Sequence, residues 1–283
     1  MQVHSLRDGI LRVMTAAFVL GVMTLNCAAQ QSNVMPDVIG IRPGMAIGDA
    51  YKVLKAHDAK GAIKFGQRRI PAVSDKPITH AFLYSPTSST EDMEVILADI
   101  TFPPSQQVVW RVTRLIRFPE GKEVPPATLL AALRQKYGPE IPASNPQFAY
   151  WVFDPQGHPA NRNAGVNLAD CAQYVELPSN ILTYMSLFTD GRPSSESVPG
   201  GVALSPSSVV ANRDACQAYV FVVAYLSPGG LHRELVGSIV VAITDLGAGI
   251  RAGRATQSVM NNAAAAQQQK ELKKAQQQAA PTF

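Results

Sequence analysis

From Ile47 the apolar positions fall at Ile47, Ala50, Tyr51 and Leu54, the i, i+3, i+4, i+7 spacing of one helical face. Just before them, "GIRPGM" (40–45) puts Gly44 where a sharp turn is needed and Met45 where a side chain can plug the first helical turn. Asp49 stands near the positive end of this helix, where a carboxylate is favoured. Gly48 is a poor helix residue, so the pattern predicts a short helix. A better punctuated helix follows in "PPATLLAALRQKYGP" (125–139). Pro125 and Pro126 suit its first turn, and Leu129, Leu130, Leu133 and Tyr137 form its stripe. Arg134 and Lys136 complement its negative end, Gly138 fits a left-handed stop, and Pro139 blocks extension.

Elsewhere the period shortens to two. "ITHAFLYSP" (78–86) after the first helix and "QFAYWVFDP" (147–155) after the second are both aromatic-rich and closed by a turn proline. "EVILADITF" (94–102) and "VVWRVTRLIRF" (108–118) read as paired strands around "PPSQQ". In the latter, Trp110, Val112, Ile116 and Phe118 share one parity, and Arg111, Thr113 and Arg117 the other. Arg114 interrupts the apolar parity and is expected where the strand leaves the core. "CAQYVEL" (171–177), "ILTYMSLF" (181–188), "CQAYVFVVAYL" (216–226) and "ELVGSIVVAITDL" (234–246) have the β-branched and aromatic content of further strands, with "SPGG" turning between the last two. Between them, residues 189–214 are rich in Ser, Pro and Gly. Long loops of this kind are functional or disordered, and this one is expected to be a tethered excursion that offers a contact surface.

Helix, strands, helix, strands describes an α+β protein with each helix on one face of an antiparallel sheet. The two halves look like one unit used twice, built either as tandem modules or as one continuous sheet. The "GIRPGMxxxxAxxxL" opening (40–54) resembles the "GM" helix that starts small α+β envelope modules, including the BamE-like outer-membrane assembly lipoproteins and the tandem domains of β-lactamase inhibitory protein. The "LxxKYGP" ending (133–139) is similar to that of many exported bacterial proteins. What the resemblance implies is a protein that binds other proteins and is not an enzyme. It carries over no binding residue, since nothing beyond the helix starts matches.

The ends of the chain change the picture. Arg7 and Arg12 precede the uncharged run 13–25, and "NCAAQQ" supplies small residues, the three-part plan of a secretory signal peptide. The run is about 13 residues, short of the roughly 20 that span a bilayer as a helix. Cleavage after Ala29 is expected, with lipid attachment at Cys27 as the rival. The organisation is therefore a signal peptide over 1–29, a first α+β module over 30–120, a second over 121–258, and an Ala/Gln-rich helical tail over 259–283. That tail has good helix propensity and almost no apolar stripe, so it is read as solvated.

Export gives the cysteines meaning. Cys27 leaves with the signal or carries lipid, and Cys171 and Cys216 remain as an even pair in an oxidising compartment, which predicts a disulfide. Closing a loop of about 45 residues would contribute roughly 4 kcal/mol in the chain-entropy model. The formal net charge is +4, or +3 once Arg7, Arg12 and Asp8 are removed. Without a clustered basic stripe this does not point to nucleic acid.

Catalytic patterns are weak. His57, His80, His158 and His232 are scattered and lack metal-ligand spacing, and neither cysteine lies in a C-x-x-C. Ser238 follows Gly237 inside an apparent strand, without a nucleophile elbow around it. Asp92 and Glu94 read as a solvated strand start, and Asp154 and Asp245 as turn residues. "ITDLGAGIRAGRA" (243–255) approximates a dinucleotide-binding turn, but its last glycine is one residue late and no second strand follows, so it is read as a flexible exit from the final strand. No catalytic, cofactor-binding or metal residue is assigned and no cofactor is expected. The expectation is a periplasmic or secreted, non-enzymatic protein that binds an envelope or extracellular protein in an assembly, inhibitory or scaffold role. Arg111, Arg117, Arg192 and Arg213 are its candidate contact residues. The alternatives are an envelope hydrolase whose site converges only in three dimensions, and a lipid-anchored structural protein held at the membrane through Cys27.

Overall fold

The computed structural model describes residues 35–85, 93–141, 143–160, 215–230 and 232–277, all within one unit, Asn33–Phe283. The elements in chain order are α1 (Ile47–His57), β1 (Ala62–Ile70), β2 (Ser74–Ser85), β3 (Met93–Ile100), β4 (Val109–Arg117), α2 (Pro126–Tyr137), β5 (Phe148–Phe153), β6 (Val220–Pro228), β7 (Val236–Asp245) and α3 (Leu246–Gln276). The strands form one antiparallel sheet in the order β1-β2-β3-β4-β7-β6-β5. The expected α+β architecture is present, and its sheet is continuous. The strands predicted over 171–177 and 181–188, the loop 189–214, and Cys27, Cys171, Arg192 and Arg213 lie outside the described residues.

The first two helices are each entered through a bridge to a strand start. Gly44 turns with φ of +83°, a conformation that disfavours any side chain, and Ala46 then bridges Val108 at the start of β4 before α1 begins. Val124 bridges Val236 at the start of β7 just before α2. The helix ends correspond too. The Tyr84 hydroxyl donates to Asp58 beyond α1 at 2.8 Å, and the Trp151 indole N–H donates to the Gly138 carbonyl beyond α2 at 2.7 Å. Gly138 has φ of 82° but ψ of −168°, so it ends α2 in a mirror-extended conformation open to glycine and not in the left-handed helical one expected.

Both helices lie on one face of the sheet. Beneath them a straight row crosses all seven strands: Phe65, Phe82, Ala98, Val112, Ile243, Val222 and Trp151 are successive cross-strand partners. Ala50 and Leu54 of α1 and Tyr137 of α2 are buried against this face, while Leu129, Leu130 and Leu133 are half-buried on it. The opposite face is also apolar, with Leu83, Val95, Leu97 and Leu115 buried. The parity carrying Arg111 and Thr113, polar in type, is therefore interior.

Three expectations need correction. The first concerns β1, which alternation did not reveal because it is an edge strand with Lys64, Gln67, Arg68 and Arg69 exposed. Arg114, second, does not mark the end of a strand. It sits mid-β4 opposite Ile96 and Val241, its charge met by Glu94. Third, "DLGAGIRAGRA" is no flexible exit. Asp245 accepts the Ala248 N–H at 2.7 Å and caps α3, an unbroken helix that continues through the boundary placed at 259.

Candidate functional site

The half-buried charges converge between α1 and the sheet. His57, in the last turn of α1, brings Nε2 to 2.8 Å from Glu94 Oε2 on β3, and Arg114 Nε on β4 donates to Glu94 Oε1 at 2.6 Å. The His57 ring lies edge-on to Tyr84 at 5.9 Å. Asp58 completes the group: the Lys60 backbone N–H and the Tyr84 hydroxyl hold its carboxyl below the usual carboxylate range. Burial, then the facing Asp58, pushes the Tyr84 hydroxyl well up, so it acts as a donor and not as a base. One carboxylate shared by an imidazole and a guanidinium, without a hydroxyl or thiol nucleophile in its hydrogen bonds, ties α1 to β3 and β4.

A second polar row lies on the opposite face. Asp99, Arg111 and Thr244 are cross-strand neighbours, and Arg111 Nε donates to Asp99 Oδ2 at 2.6 Å. Arg111 is only 4 % exposed, which overturns its assignment as a partner contact: the charge is spent inside the sheet. Arg117 is exposed at the end of β4 and remains available. Nearby, His80 stacks on Phe102 at 5.7 Å. Burial lowers its pKa, Asp99 opposes that shift, and Arg68 adds to it.

The other candidates have structural partners. His158 Nδ1 pairs with Asp154 at 2.9 Å inside one turn, so Asp154 is a turn residue as expected. His232 lies 3.4 Å from Glu234, both exposed. Gly247 and Gly249 are closed to a ligand. A Cβ on Gly247 would sit 2.1 Å from the Gln217 carbonyl oxygen, and one on Gly249 would sit 2.6 Å from the Trp110 ring. These glycines let α3 press on the chain, not a pyrophosphate. Cys216 is buried with Phe221, Val223 and Ile250.

A shallow cleft of about 600 Å³ opens beside the "GM" turn, between Arg42, Met45 and Asp49 on one side and Pro155 and Gln156 on the other. Its charged groups come from one exposed segment and do not converge. Among the described residues no group of three or more His, Cys, Asp or Glu could hold a metal ion, and no helix is long and apolar enough to cross a membrane.

The surface features are of another kind. From Ala264 to Gln276 every position of α3 is exposed. Its first turns pack through Leu246, Ile250 and Ala252, Thr256 donates to the Pro103 carbonyl at 2.8 Å, and Met260 reaches Ile70 and Phe102. Beyond that, among the described residues, nothing buries the helix. The sequence signal was present in the Ala/Gln composition, but the docked start was hidden by its glycines. No family model, curated protein or solved structure matches this chain.

Proposed function

We propose that this chain is an exported, non-enzymatic protein of the cell envelope that binds another protein in an assembly, inhibitory or scaffold role. The observation that carries the reading is the distal part of α3, thirteen successive exposed positions on a helix whose start is anchored by Gly249, Thr256 and Met260. A helix with no face to bury gains little from its own fold and becomes useful when a partner supplies the surface. The convergent titratable groups support the same reading, because His57, Glu94, Arg114, Asp99 and Arg111 hold elements together. The N-terminal pattern over 1–29 supports export, and lipid attachment at Cys27 is the variant of this reading that would tether the protein to a membrane.

Two structural proposals accompany it. The halves 30–120 and 121–258 are related units, supported by the matching bridges Ala46–Val108 and Val124–Val236. Cys171 and Cys216 form a disulfide, which mass mapping of the non-reduced exported protein would reveal as a linked peptide.

In-cell cross-linking followed by affinity capture tests the function. A single dominant envelope protein is expected with the full chain and is lost when residues 264–283 are removed. Absence of any partner above background would overturn the binding reading.

A further inference from the structure

The row of apolar residues beneath the helices ends differently at its two sides. At the β5 side Trp151 is buried, and the chain itself closes the edge through the bridges Ile141–Tyr150 and Phe153–Pro159. At the β1 side the row runs out to Phe65, which is 44 % exposed. Among the described residues no strand pairs with the outer edge of β1. Phe65 stacks on Tyr51 of α1 at 5.8 Å, so the edge carries an aromatic ledge between strand and helix. Within the same nine residues, Lys64, Arg68 and Arg69 are exposed and no acidic residue occurs.

We propose that the edge of β1 is a docking site for an extended acidic segment of a partner protein, which adds as an eighth strand. The proposal rests on the binding reading above and names its surface. Pairing between β1 and β2 is regular from Ala62 to Gly66 and then shifts register at Gly66/Gln67. A guest strand therefore finds a straight edge over Ala62–Gly66 and backbone groups to pair with. One of its inward side chains continues the apolar row over Phe65 and Tyr51. Its acidic residues meet Lys64 and, past the irregularity, Arg68 and Arg69. Lysines and bulges also serve to keep sheet edges from pairing with copies of themselves. The same charges that repel a second basic edge favour an acidic guest, so the two uses are compatible.

The test uses the full exported chain and a fluorescent nine-residue peptide that alternates valine with threonine and ends in three glutamates. A second peptide carries lysine in place of the glutamates. The acidic peptide is expected to bind at least about tenfold more tightly, the sum of three exposed charge pairs. It should also slow hydrogen exchange of the Ala62–Gly66 amides. Phe65→Ser, and separately the Arg68→Glu/Arg69→Glu pair, should weaken binding several-fold; the free Arg68→Glu/Arg69→Glu protein should keep its melting temperature, and Phe65→Ser should stay folded with a modestly lower one.

Equal binding of both peptides, or protection elsewhere than β1, overturns the proposal. So does a dimer that protects β1 without peptide, or protection of the same strand by anionic phosphatidylglycerol vesicles in preference to the peptide. The two readings fail separately. A captured partner whose cross-links persist in the Arg68→Glu/Arg69→Glu variant leaves the binding function standing and removes this site. A peptide that binds β1 while no cellular partner is captured does the reverse.

Discussion

At the scale of single residues the strongest constraint is the Asp99–Arg111 pair. Both charges are inside the sheet, where an ion left without its partner costs more than the pair gains. Asp99→Leu is expected to destabilise the protein by about 3 kcal/mol, and the double replacement with Arg111→Met should recover most of that loss. Urea unfolding of the three variants measures both quantities. His80 supplies a pH dependence of definite sign. Its pKa is lowered from 6.5 by burial, so below that value the unfolded chain takes up the proton before the folded one does. Stability is complete above 6.5 and falls as the pH drops toward the folded value. His80→Phe, which keeps the stack on Phe102, should therefore lose less melting temperature between about pH 7 and about pH 5 than the parent. None of these pairings was legible in the sequence. His57 and Glu94 are 37 positions apart, and the packing of α1 on the sheet brings them together.

At the scale of elements, legibility followed punctuation. The first two helices were readable because Gly44, Pro125, Pro126 and Gly138 mark their ends, and the strands β2 to β7 because apolar, β-branched and aromatic residues concentrate where the sheet is buried. β1 was not readable, since an edge strand half in water has no need to alternate. α3 was misread at its start for a different reason. Gly247 and Gly249 weaken a helix considered alone, yet the backbone of Gln217 and the ring of Trp110 leave room for no side chain there. That difference can be measured. Gly249→Ala is expected to destabilise by about 1–3 kcal/mol through overpacking, and Gly247→Ala by more, because the atom it meets is backbone. Gly48→Ala in α1 meets nothing within 4 Å and should stabilise by about 0.5 kcal/mol. Thermal unfolding of the three ranks them.

For the whole molecule, the question left open by the sequence, two modules or one sheet, is decided at the β4–β7 seam. Val112 and Thr113 on one strand and Ala242 and Ile243 on the other are fully buried, so each half ends in a strand whose two faces and edge need the other half. Fragments 30–120 and 121–283 should each fail to fold alone and should regain the circular dichroism of the intact chain when mixed. A fragment that folds by itself would show that the seam is dispensable. The exposed part of α3 has a consequence of a different order. Thirteen helical residues make a rod about 20 Å long, where a coil of the same length would have no fixed span. Whatever grips its far end is held at a set distance from the sheet, and inserting one helical turn would move that point outward and leave its bearing about the axis nearly unchanged.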